Sequence, residues 1–322
     1  MLRALDLFSG IGGITYGLRG IVTPVVYVEK DPNAREFLQK KHPDTPVFDD
    51  VCTFDATSLK GNVDIITAGW PCTGFSTGGK GAGFEHEASG LFTEVVRLTK
   101  ECDPTYLFLE NSHVLNKIEN ASVIVNAFDT LGYECNYFTC RSTCVGAPHE
   151  RHRWFCLVSK RNHVFEIQLP ELEKYFDWKS NEPPKQIEKN TSENRFILGA
   201  VGNAVVPDQV RYAFYVLAKK ECAAVQSEPL NITIYPPKAE SQKANIENIL
   251  THAVIKRFWG TPMYSYRNRS KACRVLTKRG LGHLTNQVSF SQYGIDGYYL
   301  HGLWCAWLMG YPSDYFTLTG NS

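Results

Sequence analysis

The run Gly69-Trp70-Pro71-Cys72-Thr73-Gly74-Phe75-Ser76 decides how this chain reads. It follows Val63-Asp64-Ile65-Ile66-Thr67-Ala68, an apolar stretch that predicts a buried strand. A strand ending in a Gly-Trp-Pro-Cys turn sets one thiol at the carboxyl edge of a sheet, where open α/β sheets bind ligands. Pro71 fixes one backbone angle, and glycines on both sides let the chain turn sharply. Read alone, Cys72 is more readily a structural cysteine in a turn, since most free cysteines are inert. Its neighbours in sequence decide between the two.

Upstream, Ala4 to Phe8 reads as a first strand that runs into Ser9-Gly10-Ile11-Gly12-Gly13 and then a helix from Ile14 to Leu18. Strand, glycine-rich turn and helix make a nucleotide-type cradle, because glycine lets the backbone approach a ligand. The next strand, Val25 to Val28, ends in Glu29, where an acid can accept hydrogen bonds from ribose hydroxyls. The alternative is a surface Glu29 paired with Lys30. Asp31-Pro32 caps a helix from Asn33 to Lys41. A third strand, Thr45 to Phe48, leads to Asp49-Asp50-Val51. There a carboxylate can take an adenine amino group and Val51 can pack on the ring, or the acids form a solvated turn.

Downstream, Thr77 to Gly83 is too glycine-rich for a helix and predicts a mobile loop beside the thiol. A helix from Ser89 through Lys100 and a fifth strand, Thr105 to Leu109, follow. That strand ends in Glu110-Asn111, on the same sheet edge as Cys72. A Glu on the lip of an apolar strand can serve as an acid. A helix over 121–131, a strand from Tyr133 to Arg141 and a strand from Trp154 to Val158 complete the run. Arg151 and Arg153 begin the last strand, and period-two alternation points both one way. Two guanidiniums there need partners. They are either site residues or a surface pair bridging acids.

Residues 179–195 read as a polar, proline-bearing loop, and Val201-Gly202-Asn203-Ala204-Val205-Val206-Pro207 leads to a helix from Asp208 to Lys220. Residues 222–248 read as a linker carrying Pro236-Pro237. Beyond it, Lys/Arg stand at 256, 257, 267, 269, 271, 274, 278 and 279 against Asp296 and Asp314, with Trp259, Tyr264, Tyr266, Phe290 and Tyr293 interleaved. Such a surface suits nucleic-acid backbones.

Composition limits the alternatives. At 322 residues and 43% hydrophobic, the chain can bury a core and suggests about two domains. Net charge is +1, so any DNA-binding field is local. None of the ten cysteines forms a Cys-x-x-Cys pair, which argues against a zinc ribbon, and no metal is expected. No secretory signal or span of about 20 apolar residues is read, so an intracellular chain with free thiols and no membrane partner is expected: cytoplasmic and nucleoid-associated, or nuclear in a eukaryote.

Taken in order, Asp6-Leu7-Phe8-Ser9-Gly10-Ile11-Gly12-Gly13, Glu29, Asp50-Val51, the Pro-Cys turn, Glu110-Asn111-Ser112, Arg151-His152-Arg153 and Gly202-Asn203-Ala204-Val205 resemble the cytosine-5 DNA methyltransferase family. The resemblance covers essentially residues 1–218. It implies a doubly wound, mostly parallel α/β sheet that binds S-adenosylmethionine, with a smaller DNA-recognition domain. It implies methyl transfer to carbon 5 of a cytosine flipped out of double-stranded DNA. Cys72 matches the nucleophile, Glu110 the residue on ring nitrogen 3 and the exocyclic amine, and Arg153 the residue near the base carbonyl, with Arg151 in support. Phe8, Gly10, Ile11, Gly12 and Gly13 match the first cofactor loop. Glu29, with Lys30 beside it, matches the ribose ligand, and Asp50 and Val51 match the adenine contacts. Gly69, Pro71, Leu91, Asn203 and Val205 match the remaining wall.

The chain departs from the family pattern in places. Thr73, His149 and Ala204 stand where Gln, Gln and Ser are usual. Trp304 to Pro312 resembles the segment that closes the recognition region, yet it follows the Gly-Asn motif. Residues 1–221 are therefore expected to form the catalytic domain and 249–322 a transposed recognition region, facing DNA and adding little to the cofactor pocket. A diverged C-terminal extension is the alternative. A tRNA-methylating branch is a rival reading, although its Cys-Phe-Thr tripeptide is absent. A catalytically silent DNA-binding relative is another, although Cys72, Glu110 and Arg153 are intact. A monomer is expected, with a cognate restriction enzyme as a conceivable partner.

Overall fold

A computed structural model describes residues 1–71, 91–163, 176–178, 180–184, 187–189, 191–224 and 298–317, with isolated positions at 167, 169 and 170. Cys72 and the glycine-rich loop after it lie outside the described residues, as do most of the expected linker and recognition region. Among the described residues, no helix is long and apolar enough to cross a membrane.

The apolar runs become strands and the segments between them helices. In chain order they are β1 (Leu2–Leu7), α1 (Gly13–Gly17), β2 (Val22–Val28), α2 (Pro32–Lys41), β3 (Val47–Phe48), β4 (Ile65–Ala68), α3 (Phe92–Cys102), β5 (Tyr106–Ser112), α4 (Ile118–Asp129), β6 (Tyr133–Arg141) and β7 (His152–Lys160). After these come β8 (Ile187–Lys189), α5 (Ser192–Asn203), α6 (Pro207–Ala224), β9 (Tyr298–Leu300) and α7 (Gly302–Leu308). Asp31 caps α2 as expected, its side chain accepting from the Asn33 and Ala34 amides at 2.9 and 3.0 Å.

The large sheet runs β3-β2-β1-β4-β5-β7-β6. β1, β2, β3, β4 and β5 pair in parallel, and β7 is antiparallel to β5. This is the doubly wound, mostly parallel sheet expected. Every residue of β4 is buried, as a central strand covered on both faces requires. One face packs Leu5, Leu7, Ile66, Ala68, Leu107 and Leu109 against Val95, Leu98, Ile124 and Phe128. On the other, Phe108 stacks on Phe155 at 5.8 Å and meets Phe214 edge-on at 5.3 Å. The chain leaves β1 in one direction toward β2 and β3, and β4 leads the other way to β5. The switch of strand order between β1 and β4 opens the crevice at the carboxyl ends.

The chain divides into two compact units. The first comprises Met1–Cys140, His152–Glu173 and Gln209–Asn231, and the second Arg141–Arg151, Lys174–Asp208 and Ile232–Ser322. In the second, β8 pairs antiparallel with β9 and α5 packs on α7. Gly302 makes that packing close: a Cβ there would lie 2.7 Å from the Ile197 Cβ. The segment 179–195, read as a loop, instead holds β8 and the start of α5. Thr191 caps α5, its hydroxyl accepting from the Asn194 amide at 3.0 Å. That is a short polar N-cap, easily mistaken for loop chemistry.

Candidate active site

The site grows from the ends of β1, β2, β4 and β5. The backbone after β1 turns through left-handed angles at Phe8 (φ 56°), Gly10 (φ 56°) and Gly12 (φ 75°). Phe8 is not glycine, so its geometry carries strain that the surroundings must hold. They do so through polar contacts. The Ser9 hydroxyl donates to the Asp6 carbonyl at 2.7 Å. The Gly10 N–H donates to Glu29 Oε2 at 2.7 Å, and the Asp31 N–H donates to Glu29 Oε1 at 2.8 Å. Glu29, at the end of β2, therefore latches the glycine turn with both oxygens. Ile11 is buried beneath the turn.

Beyond β3, Lys30 Nζ meets Asp50 Oδ2 at 3.4 Å in an exposed pair of the kind that contributes little energy. Asp50 also accepts from the Cys52 amide at 2.9 Å, and hydrogen bonding holds its carboxyl below the ordinary range. Val51 is buried, and its carbonyl accepts from Arg97 on α3 at 2.7 Å. Arg97 also binds the Phe54 carbonyl, Glu94 and Glu101, so one guanidinium fastens the loop after β3 to α3. Leu91 immediately precedes α3 and packs against the core.

The turn after β4 is held from β5. Asn111 is buried, and its amide donates to the Trp70 carbonyl at 3.0 Å. Trp70 is buried against Phe92, with ring centroids 5.3 Å apart. Glu110 is buried beside the same turn, where a Cβ on Gly69 would lie 3.1 Å from its Oε2. Arg153 Nε stands 2.9 Å from Glu110 Oε1. Antiparallel register explains that pair: Glu110 faces Phe155 and Ser112 faces Arg153, so the arginine reaches diagonally across the ladder. The structure thus brings Glu110, Arg153 and the backbone leading into Cys72 together. Arg151 precedes β7 and belongs to the second unit, where it is buried with its N–H donating to the Ser142 hydroxyl at 2.9 Å. Asn203, the exposed last residue of α5, and buried Val205 are also in the second unit.

Sequence reasoning left several supporting residues without a role. Asp6 is almost fully buried at the end of β1, flanked in register by Tyr27 and Thr67. The Thr67 hydroxyl donates to its Oδ1 at 2.5 Å, and Oδ2 has no hydrogen-bond partner among the described residues. Burial pushes the Asp6 carboxyl up to about 8, the Thr67 bond opposing and the nearby Glu29 adding to the rise. A lone acid in the buried, apolar half of β1 was the visible signal. The described cysteines differ in chemistry: burial pushes Cys102 up to about 12 and Cys305 upward as well, so both are inert thiols at neutral pH. Among the described residues no cluster of His, Cys, Asp and Glu could hold a metal ion.

A type II methyltransferase, M.CviJI of Paramecium bursaria Chlorella virus IL3A, is 40% identical over 97% of this chain and 97% of its own length. M2.BsuMI of Bacillus subtilis is 31% identical over 49% of this chain and 42% of its own. M.NgoBI of Neisseria gonorrhoeae is 30% identical over 53% of this chain and 54% of its own. The sequence profile of C-5 cytosine-specific DNA methylases matches residues 2–318, and the chain belongs to that family.

Proposed function

We propose that this chain methylates carbon 5 of a cytosine flipped out of double-stranded DNA, using S-adenosylmethionine and a covalent adduct at Cys72. The carrying observation is the placement of buried Glu110 against Gly69, within 2.9 Å of Arg153, on the strand beside the Pro-Cys turn. Carbon 5 of cytosine is a weak nucleophile. Bonding of the Cys72 thiolate to carbon 6 places electron density on carbon 5. Glu110 binds ring nitrogen 3 and the exocyclic amine, and Arg153 steers both Glu110 and the base carbonyl. After transfer the carbon 5 proton leaves and the electron pair returned to the ring expels Cys72. Flipping the base costs roughly a few kcal/mol.

The residues present fit the cofactor. The turn after β1 carries left-handed glycines, and a Cβ at Gly10 would meet nothing within 4 Å, so the backbone is open to a ligand there. Each Glu29 oxygen already accepts one N–H and keeps a further lone pair for a ribose hydroxyl. The weak Lys30–Asp50 pair can yield Asp50 to an adenine amine. When bound, S-adenosylmethionine supplies the electrophilic methyl group. Phe8, Gly10, Ile11, Gly12, Gly13, Glu29, Lys30, Asp50, Val51, Gly69, Pro71 and Leu91 would hold it, and Asn203 and Val205, in the second unit, are assigned to the same cofactor on the family resemblance.

The relatives are named type II methyltransferases, so a companion restriction endonuclease is the partner this reading favours. Bisulfite sequencing of DNA from cells expressing the protein tests activity and target together. Protected cytosines within one short sequence are expected. Uniform conversion, in cells making folded protein, would overturn the reading.

A further inference from the structure

We infer that Tyr311 is a positioning residue for the cofactor wall, because its buried hydroxyl donates to the Val205 carbonyl at 3.0 Å. The inference rests on reading Asn203 and Val205 as part of that wall. Ala204, Val205 and Val206 form the non-helical link between α5 and α6, with Ala204 extended at φ −69° and ψ 164°. A carbonyl in such a link has no helical partner, and Val205 is buried. A buried carbonyl needs a donor. Tyr311 supplies it from more than a hundred residues away in sequence.

The donor is itself held firmly. The Tyr311 N–H donates to the Ala306 carbonyl at 2.9 Å, closing the end of α7. Its ring packs on Tyr315, with centroids 4.7 Å apart. Gly310 turns the chain at φ 79°, and a Cβ there would lie 2.8 Å from the Trp178 ring. Trp178 Nε1 donates to the Trp307 backbone carbonyl at 3.0 Å, so the corner after α7 is fixed through its backbone and the Tyr311 hydroxyl arrives at Val205 from a fixed frame. The Trp307 side chain makes a separate bond, its Nε1 donating to the Asn181 carbonyl at 2.8 Å.

The test compares Tyr311→Phe with Trp307→Phe in the full-length protein. Each removes one hydrogen bond from the same unit, but only Tyr311→Phe frees the Val205 carbonyl. S-adenosylmethionine binding is measured by calorimetry, and amide hydrogen exchange over residues 202–206 by mass spectrometry, with and without S-adenosylmethionine. The melting temperature controls for folding. Tyr311→Phe should weaken binding roughly three- to tenfold and speed exchange at 202–206. Its KM for the cofactor should rise with kcat unchanged. Trp307→Phe should lower the melting temperature and leave cofactor affinity as it was. Equal effects of the two variants on affinity, or none from Tyr311→Phe, would overturn the inference. If wild-type exchange at 202–206 does not slow with S-adenosylmethionine, the wall reading itself fails and the inference falls with it.

Discussion

Asp6 shows how a single side chain can set a pH dependence without touching the chemistry. Its ordinary value is 3.8, and in the folded chain burial first, with the Glu29 charge adding, pushes it up to about 8. Across that window the folded state binds more protons than the unfolded one. Its contribution to stability is thus present at low pH and lost as pH rises toward about 8. Asp6→Asn removes the titration. In urea unfolding, the variant should gain on the wild type by more than about 1 kcal/mol between about pH 5.5 and about pH 8. Parallel stability profiles would show that Asp6 is ionised in the fold. Glu29 makes a second residue-scale prediction. Both its oxygens accept backbone N–H groups, so an amide can serve only one of them. Glu29→Gln should lose roughly tenfold or more in S-adenosylmethionine affinity, because an unpaired N–H costs ~1–3 kcal/mol. Calorimetry showing wild-type affinity for Glu29→Gln would remove the latch from the account. Glu29 itself was legible as an acid at a strand end. That it closes the glycine turn was not, because both contacts are to backbone amides whose directions no sequence displays.

At the scale of elements, the parallel strands were legible because buried strands read as continuous apolar runs between turn residues. Their ends shifted by only a few positions: β2 begins at Val22 rather than Val25, and β5 runs on through Ser112. Helix α5 was missed. Its sequence, SENRFILGAVGN, follows a proline-bearing stretch and contains Gly199 and Gly202, so local preference spoke against a helix. Tertiary packing against α7 decided otherwise. That packing is sensitive at one position. A Cβ on Gly302 would sit 2.7 Å from Ile197 Cβ and 3.1 Å from the Asn194 carbonyl oxygen, and backbone cannot yield cheaply. Gly302→Ala should therefore destabilise the protein by about 1–3 kcal/mol, seen as a lowered melting temperature. An unchanged melting temperature would mean that α5 and α7 stand farther apart.

For the whole molecule, the order of segments governs how DNA contact can be tested. Trp304 and Tyr311 are fully buried, and the Gly302 N–H donates to Asn194 Oδ1. Removing everything after 249 would strip core residues from the second unit and confound DNA binding with folding. Substitution is cleaner. The basic, aromatic stretch between 256 and 279, legible from composition alone, lies outside the described residues. If Arg267 and Arg269 contact phosphates, Arg267→Ala with Arg269→Ala should flatten the salt dependence of DNA binding by roughly 0.9 in log–log slope per contact. S-adenosylmethionine binding should be unchanged, and an unaltered slope would place the DNA surface elsewhere.

The central claim is that Cys72 attacks the base, with Glu110 and Arg153 poised beside its turn. It is tested most directly by incubating the protein with S-adenosylmethionine and duplex DNA carrying 5-fluorocytosine at the target, then measuring the mass of the denatured complex. Fluorine cannot leave as a proton does, so the adduct persists. The wild type should gain the mass of the DNA strand plus one methyl group, with the crosslinked peptide containing Cys72. Cys72→Ala, folded and still binding S-adenosylmethionine, should gain none. A crosslink retained by Cys72→Ala, or mapped to another residue, would contradict the account.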